Sequence, residues 1–451
     1  MSYKIETPLE GMDTSRYIPG AIMMNDGRDD MSFSSSHHHA HGNDECCSDE
    51  LETEDFVFTK VLLTFSQYER YYFDFFDTKI CHFQKVWNQV LDSEHAVSSV
   101  LPNQFQVFAN MKAAIQTNYT NLILKILESH AIGFEDQKFA VDVASNINDG
   151  GFSKALNMKP RVLKVTVPVD TFLVEEIIHM LNSEDFEKVN STVKQFVRDW
   201  SLDGKVERDN SYQLIVNEIK RIMPLNGTLN KYKVLTPGSG LGRLTWEIAR
   251  EGYSSQGNEF SFHMLLGSNL ILNNVYREAD NSVGFEQFEI YPYVTQMSNL
   301  FSRSDQMRAV HLPDIHPGDA LPDGVEFSMV AGDFIEVYQN EEQRSQWDCV
   351  ATCFFIDTAS NIFDYLKTIH QCLKVGGYWV NLGPLLWHHH EMGDSRFSVE
   401  LTLEEIKEVA AAMGFEFIAE REIETTYISS GKRSMGQTVY NCAFFTAQKK
   451  R

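Results

Sequence analysis

The segment Val234-Leu-Thr-Pro-Gly-Ser-Gly-Leu-Gly-Arg243 sets a short aliphatic run against three glycines, at 238, 240 and 242, and then the start of a helical pattern. Glycines directly after a strand let the chain turn tightly, and let a ligand approach the main chain while a helix begins. Such a strand-turn-helix unit opens the ligand-binding half of a Rossmann-like α/β sheet. A dinucleotide fingerprint also wants glycine at position 243, so that helix and strand pack closely, but Arg243 stands there. The spacing therefore points away from NAD and an oxidoreductase, and toward S-adenosylmethionine, which has no pyrophosphate to cradle. Gly238 and Gly240 are the expected cofactor contacts in this turn.

Three later strand ends agree with that reading. The second strand closes on Gln256-Gly-Asn-Glu259, which places a carboxylate 21 positions after Gly238. An acid at that distance can accept hydrogen bonds from both hydroxyls of a ribose, so Glu259 is the expected ribose ligand. The third strand closes on Ala331-Gly-Asp-Phe334. There Asp333 is expected to meet the adenine amino group and Phe334 to cover the base with its ring. The fourth ends in Cys353-Phe-Phe-Ile-Asp357, at the edge where open α/β sheets hold ligands, so Cys353 is expected to line the cofactor pocket. Without an adjacent base, Cys353 is not a nucleophile.

Outward from the glycine turn, strand, turn and helix repeat as in a mainly parallel sheet. Strands are expected near residues 233–236, 253–258, 327–331, 348–355, 378–382, 415–420 and 439–447, the seven of a class I methyltransferase. Residues 275–324, rich in aromatics and proline, are too long for one crossover and read as an insertion after the second strand with its own structure. Upstream, Phe65, Tyr68, Tyr72 and Phe75, then Leu122, Ile123, Ile126 and Leu127, recur at helical steps. They predict a helical N-terminal region over 56–205, its aromatic stripe serving as core, with a loop-like stretch over 134–168. The catalytic domain then runs over 206–451 and opens with an amphipathic helix at Tyr212–Ile222. The first 55 residues are polar, aperiodic and include HHHAHGNDECCSDE, so a disordered acidic, His-rich tail is expected. His37, His38, His39 and His41 beside Cys46 and Cys47 lack the spacing of a folded zinc site, and no metal is assigned.

At 451 residues the chain is long enough for two structural units. Its 39 Lys+Arg against 63 Asp+Glu give a net charge of −24, which disfavours a nucleic-acid partner. The N-terminus lacks the basic and apolar regions of a secretion signal, and no stretch has the length and apolarity of a membrane span. Seven cysteines without regular spacing read as free thiols. The expected compartment is the cytoplasm, with the nucleus also open, and a homodimer is compatible with the sequence.

The strings KQFVRDWS (194–201), GSGLGRLTWEIA (238–249), YSSQGNEFSFHMLL (253–266), WDCVATCFFIDTA (347–359) and NLGPLLWH (381–388) resemble those of eukaryotic carnosine N-methyltransferases. The resemblance runs from about residue 56 to the C-terminus. It implies an S-adenosylmethionine-dependent enzyme that methylates an imidazole nitrogen of a small His-containing peptide, carnosine giving anserine. It also implies that Gln195 and Arg198 reach the cofactor from the helical region; three apart, they share one face of a helix, with Arg198 toward the methionine carboxylate. By the same resemblance Asp357, His388 and Tyr440 bind the dipeptide, with Asp357 and His388 at the chemistry. The tract His388-His389-His390 leaves open which imidazole faces the substrate, and Val375 stands before Gly376-Gly377 where the family usually has proline. Two alternatives stay open at this point: a protein-histidine methyltransferase, since a dipeptide and a protein present the same ring, and a catalytically dead cofactor-binding scaffold.

Overall fold

The computed structural model describes residues 23–24, 53–91, 104–131, 139–144, 162–167, 169, 171–273, 288–389, 398–428 and 433–451. All seven expected strands belong to one sheet: β4 Lys233–Pro237, β5 Ser254–Glu259, β8 Phe327–Ala331, β9 Trp347–Cys353, β10 Leu373–Gly383, β11 Phe415–Thr426 and β12 Val439–Lys449. An eighth, the two-residue β1 at Met23–Met24, pairs in parallel with β8, and the order is β1-β8-β5-β4-β9-β10-β12-β11. The strands from β1 to β10 run parallel, and β12 lies antiparallel between β10 and β11. The strand order reverses between β4 and β9, which makes the carboxyl ends of those two strands the natural place for a ligand.

The expected 55-residue tail is thus corrected at both of its described parts. Met23–Met24 form an edge strand, and helix α1, Glu54–Leu91, starts inside its last residues. The His37–Cys47 tract lies outside the described residues. The N-terminal region is helical, with α2 Gln104–Asn118, a π-turn at Tyr119–Ile123 and α3 Leu124–Ala131. The loop-like reading of 134–168 is overturned in part: β2 Phe139–Ala144 and β3 Val162–Val167 form an antiparallel ribbon. In β3 the apolar Leu163, Val165 and Val167 alternate with Val162, Lys164 and Thr166, a period-two signal too short to stand out beside Pro and Gly.

The helical run 171–200 is two helices, α4 Thr171–Met180 and α5 Ser183–Trp200. Asn182 starts α5 with a capping box, its side chain accepting from Glu184 and Asp185 while Asp185 accepts from the Asn182 N–H. Short α6, Lys205–Asp209, and α7, Tyr212–Ile222, lead into β4, and α8, Arg243–Arg250, follows the glycine turn. After β5 and α9, Phe262–Asn273, the insertion contributes β6 Phe288–Ile290, α10 Arg303–Gln306 and β7 Val310–Leu312. Asn118 and Asn121 of the π-turn region bind the main chain of Tyr291 and Glu289, so polar helix residues satisfy the edge of the β6–β7 pair.

The helical region is not a separate body resting on the sheet. One apolar core joins Phe65, Tyr68 and Phe76 of α1 with Phe196 and Trp200 of α5, Trp246 of α8, Leu270 of α9 and Ile290 of the insertion. A buried ionic cluster closes the same junction. Asp314 of the insertion takes Arg243 Nη1 at 2.7 Å and Arg208 Nη2 at 2.5 Å, while Arg243 also reaches the Asp199 carbonyl at 2.8 Å and Arg208 the Arg198 carbonyl at 2.7 Å. The Arg243 guanidinium lies over Trp200 and Trp246. Arg243 therefore replaces a packing glycine with a cation that ties α8 to α5 and to the insertion. Among the described residues no helix is long and apolar enough to cross a membrane.

Removing Asp314 leaves two buried guanidinium groups without their shared carboxylate. Asp314→Ala is expected to cost about 3–5 kcal/mol, measured as a lower urea midpoint at unchanged slope.

Candidate active site

The site forms where the glycine turn, the end of α5 and the carboxyl ends of β5, β8, β9 and β10 meet. Gly238 has φ +65°, and a Cβ there would come within 2.5 Å of the Phe355 ring, so conformation and space both require glycine. Gly240 has φ +55°, and its open side faces Gln195 Nε2, 3.5 Å from where a Cβ would be. Its N–H donates to Glu259 Oε2 at 2.7 Å, while Oε1 accepts from Phe260 and Ser261. The carboxylate is thereby fixed at the end of β5. Burial raises its pKa, and these three N–H groups pull the other way. Three bonds leave about one of the roughly four lone-pair positions of a carboxylate, so Glu259 Oε2 keeps capacity for one hydroxyl donor.

From the other side, α5 brings Gln195 and Arg198 to the turn, as Trp200 Nε1 donates to the Leu241 carbonyl at 3.1 Å. Arg198 is 4% exposed. Its Nη1 donates to the Tyr212 hydroxyl and, at 3.4 Å, to Asp199 Oδ1; Tyr212 in turn donates to Asp199 at 2.9 Å. The guanidinium lies 4.5 Å from the ring centroids of both Tyr212 and Tyr427 and 5.8 Å from that of Phe354. Burial opposes the Arg198 charge, but Tyr212, Asp199 and Tyr427 outweigh it and its pKa is raised. Burial raises Asp199 too, with Arg198 opposing. Nη2 makes no hydrogen bond to the described residues, and Nε, 2.8 Å from Glu207 Oε1, does not direct its proton along that contact. Gln195 donates to Asp199 at 3.2 Å and leaves its buried Oε1 without a partner among the described residues.

Unpaired buried donors on a guanidinium edge and an unpaired amide oxygen beside it suit a ligand end that carries both a carboxylate and an ammonium. The amino-acid moiety of S-adenosylmethionine is such an end. The orphaned atoms and the open glycine turn thus fit that cofactor.

At the end of β8, Asp333 caps the short α11, Phe334–Tyr338, with Oδ1 accepting from Ile335 and Glu336. The Phe334 ring does not take the expected position over a base. It is 3% exposed and packs 5.4 Å from both Phe355 and Tyr365 and 5.7 Å from Tyr338. The ring is packed among these three side chains, and the Phe334 N–H, the first of the helix, has no intrahelical acceptor. The exposed ring at this edge is Phe260, next to Glu259 and 70% exposed. Nothing in the pattern GNEF distinguishes it from core phenylalanines.

Across the switch point, Cys353 ends β9 beside Arg198, and burial pushes its thiol up to about 12, against the pull of Arg198. A neutral thiol is a pocket wall and not a nucleophile. Phe354 follows with φ +51°, its N–H bound to the Leu382 carbonyl at 2.8 Å. Asp357 is 4% exposed; its Oδ2 accepts from the Leu386 N–H at 2.9 Å and its carbonyl from the His388 N–H at 3.1 Å. Burial raises its pKa, with the Leu386 N–H and His388 opposing. His388 is exposed beside Asp357, whereas His389 is half-buried, its Nδ1 without a partner among the described residues; His390 lies outside them. Tyr440 pairs with Thr425 at the start of β12 and sets its ring 5.9 Å from Phe354, which in turn lies 4.7 Å from Tyr427. The resemblance gave the positions of Asp357, His388 and Tyr440. Tyr427, Phe354, Tyr212 and Glu207 carried no signal, because their roles come from long-range packing.

Residues 175–451 match the model of the carnosine N-methyltransferase family. The chain belongs to that family. It is 44% identical over 291 residues to the carnosine N-methyltransferase of Schizosaccharomyces pombe, a match covering 62% of this chain and 76% of that one. Similarity to the Dictyostelium discoideum carnosine N-methyltransferase, at 34% over 406 residues, covers 88% of this chain and 76% of the relative, and so takes in much of the helical region. The rat carnosine N-methyltransferase is 45% identical over 266 residues, covering 59% of this chain and 64% of the relative. Carnosine N-methyltransferases draw their methyl group from S-adenosylmethionine, the cofactor that the orphaned donors already fit.

The two phenylalanines separate by experiment. Phe260→Ala is expected to weaken S-adenosylhomocysteine binding about five- to tenfold in calorimetry with little change in melting, about the worth of one ring stacked on a base. Phe334→Ala is expected to lose about 3–5 kcal/mol of stability as a core truncation.

Proposed function

We propose that this protein methylates an imidazole nitrogen of carnosine to give anserine. The observation that carries the reading is a buried carboxylate, Asp357, fixed across the sheet's switch point from the unpaired donors of Arg198. S-adenosylmethionine, when bound, supplies an electrophilic sulfonium methyl. Arg198 Nη2 holds its carboxylate and Gln195 Oε1 its ammonium. Glu259 Oε2 would take a ribose hydroxyl from the rim of the glycine turn at Gly238 and Gly240. Asp333 and the Phe334 N–H meet the adenine edge, and Cys353 closes the pocket wall.

An imidazole with pKa near 6.5 is mostly neutral at pH 7 and already has a bare nitrogen. The enzyme has to choose the tautomer and hold that nitrogen about 3–3.5 Å from the methyl, in line with the bond that breaks. Asp357 accepts a hydrogen bond from the other ring nitrogen, which fixes the tautomer and stabilises the charge that spreads over the ring. Its own position is held by the Leu386 N–H. Once the ring is methylated, Asp357 takes the remaining N–H proton, and its raised pKa brings it closer to that of the ring. Exposed His388 passes the proton on to water, and Tyr440 orients the dipeptide.

The test is methyl transfer from labelled S-adenosylmethionine to carnosine, with the product identified by NMR. Asp357→Ala is expected to lower kcat by about 10²–10⁴ while S-adenosylhomocysteine binding stays within about twofold. Equal loss of both defeats the assignment, and no transfer by the unaltered protein with cofactor binding intact defeats the substrate. The pH profile gives a second check. Asp357 works as the carboxylate, and burial raises its pKa, so activity is lost on acidification at a higher pH than an ordinary aspartate would give. This limb adds to protonation of the substrate ring, and Asp357→Asn is expected to remove it from the residual activity.

A further inference from the structure

Glu207 has no part in the chemistry above, yet it stands where the two halves of the site meet. It is buried in α6. Its Oε1 lies 2.8 Å from Arg198 Nε and accepts the Ile428 N–H at 2.9 Å, and its Oε2 accepts the Thr426 hydroxyl at 3.0 Å. Thr426 and Ile428 bracket Tyr427, the ring that lies against both Arg198 and Phe354. Thr426 ends β11 opposite Val439, next to the Thr425–Tyr440 pair. One carboxylate therefore joins the cation on the cofactor side to the strand ends that carry Tyr427 and Tyr440.

Among its partners, that carboxylate holds the Arg198 cation and the neutral donors of Thr426 and Ile428. A ligand carboxylate that engages Arg198 draws on the same cation and leaves Glu207 less neutralised. Its hydrogen bonds to Thr426 and Ile428 then strengthen, since bonds to an ionised acceptor grow with the charge it carries. We infer that Glu207 is a positioning residue that couples cofactor binding at Arg198 to the ordering of the β11–β12 strand ends over the dipeptide. The inference rests on the carnosine reading. Each ligand then tightens the other by the same factor, as linkage demands.

Calorimetry of carnosine binding with and without saturating S-adenosylhomocysteine measures that factor. The unaltered protein is expected to bind carnosine about fivefold or more tightly when the cofactor product is present. In Glu207→Gln, which keeps shape and loses charge, the factor is expected to fall to within about twofold of unity. Hydrogen exchange at the Ile428 amide is expected to slow on S-adenosylhomocysteine binding in the unaltered protein and not in the variant. Thr426→Val leaves the Arg198 contacts alone; it is expected to reduce the factor with S-adenosylhomocysteine affinity unchanged, and it decides the matter if Glu207→Gln does not fold. A merely structural glutamate would lower the melting point and both affinities together with their coupling intact. That result, or full coupling in Thr426→Val, overturns the inference. Absence of carnosine binding to the unaltered protein would defeat the functional reading and the inference together, whereas unchanged coupling defeats the inference alone.

Discussion

A guanidinium buried to 4% exposure has to be neutralised and hydrogen-bonded by the protein, and most of this structure's architecture follows from where Arg198 is buried. Its charge is met by Asp199 on the same helix, by Glu207 on the next, and by the faces of Tyr212, Tyr427 and Phe354. Those groups come from α5, α6, α7, the residue just after β11 and the turn after β9. The cation can be satisfied only if the helical region, the carboxyl edge of the sheet and the last two strands close on one point. That point is the switch in strand order, where an α/β sheet holds its ligands.

The Arg208–Asp314–Arg243 cluster serves the same junction from behind. Arg208 holds the carbonyls of Arg198 and Ser201, and Arg243 holds that of Asp199, so the carbonyls at the end of α5 end on cations. Positive groups at a helix C-terminus are favourable on electrostatic grounds as well. The fixed helix end then presents Gln195 and Arg198 to the glycine turn. The site is a product of two buried ionic clusters, one at the glycine turn and one facing the core.

Much of this was legible in the sequence, for definite physical reasons. Strand-turn-helix alternation located the seven principal strands, and the glycine spacing with Glu259 pointed to the turn after β4 and the end of β5, which the Gly240 N–H joins, because both depend on local conformation and chain distance. Arg243 was read as a departure from a fingerprint, and only the structure shows what it holds instead. A ring next to a strand-end acid looks the same in sequence whether it faces a crevice or the core; the Phe334 ring packs against Phe355 and Tyr365, which lie 21 and 31 positions away. Tyr427 and Glu207 were invisible, since neither has a pattern and both act through residues far along the chain. The ribbon β2–β3 was too short for its alternation to register.

One crevice is expected to hold the cofactor's amino-acid end at Arg198 and the substrate ring at Asp357. The most direct measurement is a crystal structure of the protein with S-adenosylhomocysteine and carnosine bound together. The cofactor carboxylate is expected within about 3 Å of Arg198 Nη2, one imidazole nitrogen within about 3 Å of the Asp357 carboxylate, and the other nitrogen facing the sulfur. A cofactor carboxylate bound away from Arg198, or an imidazole that leaves Asp357 without contact, would contradict it.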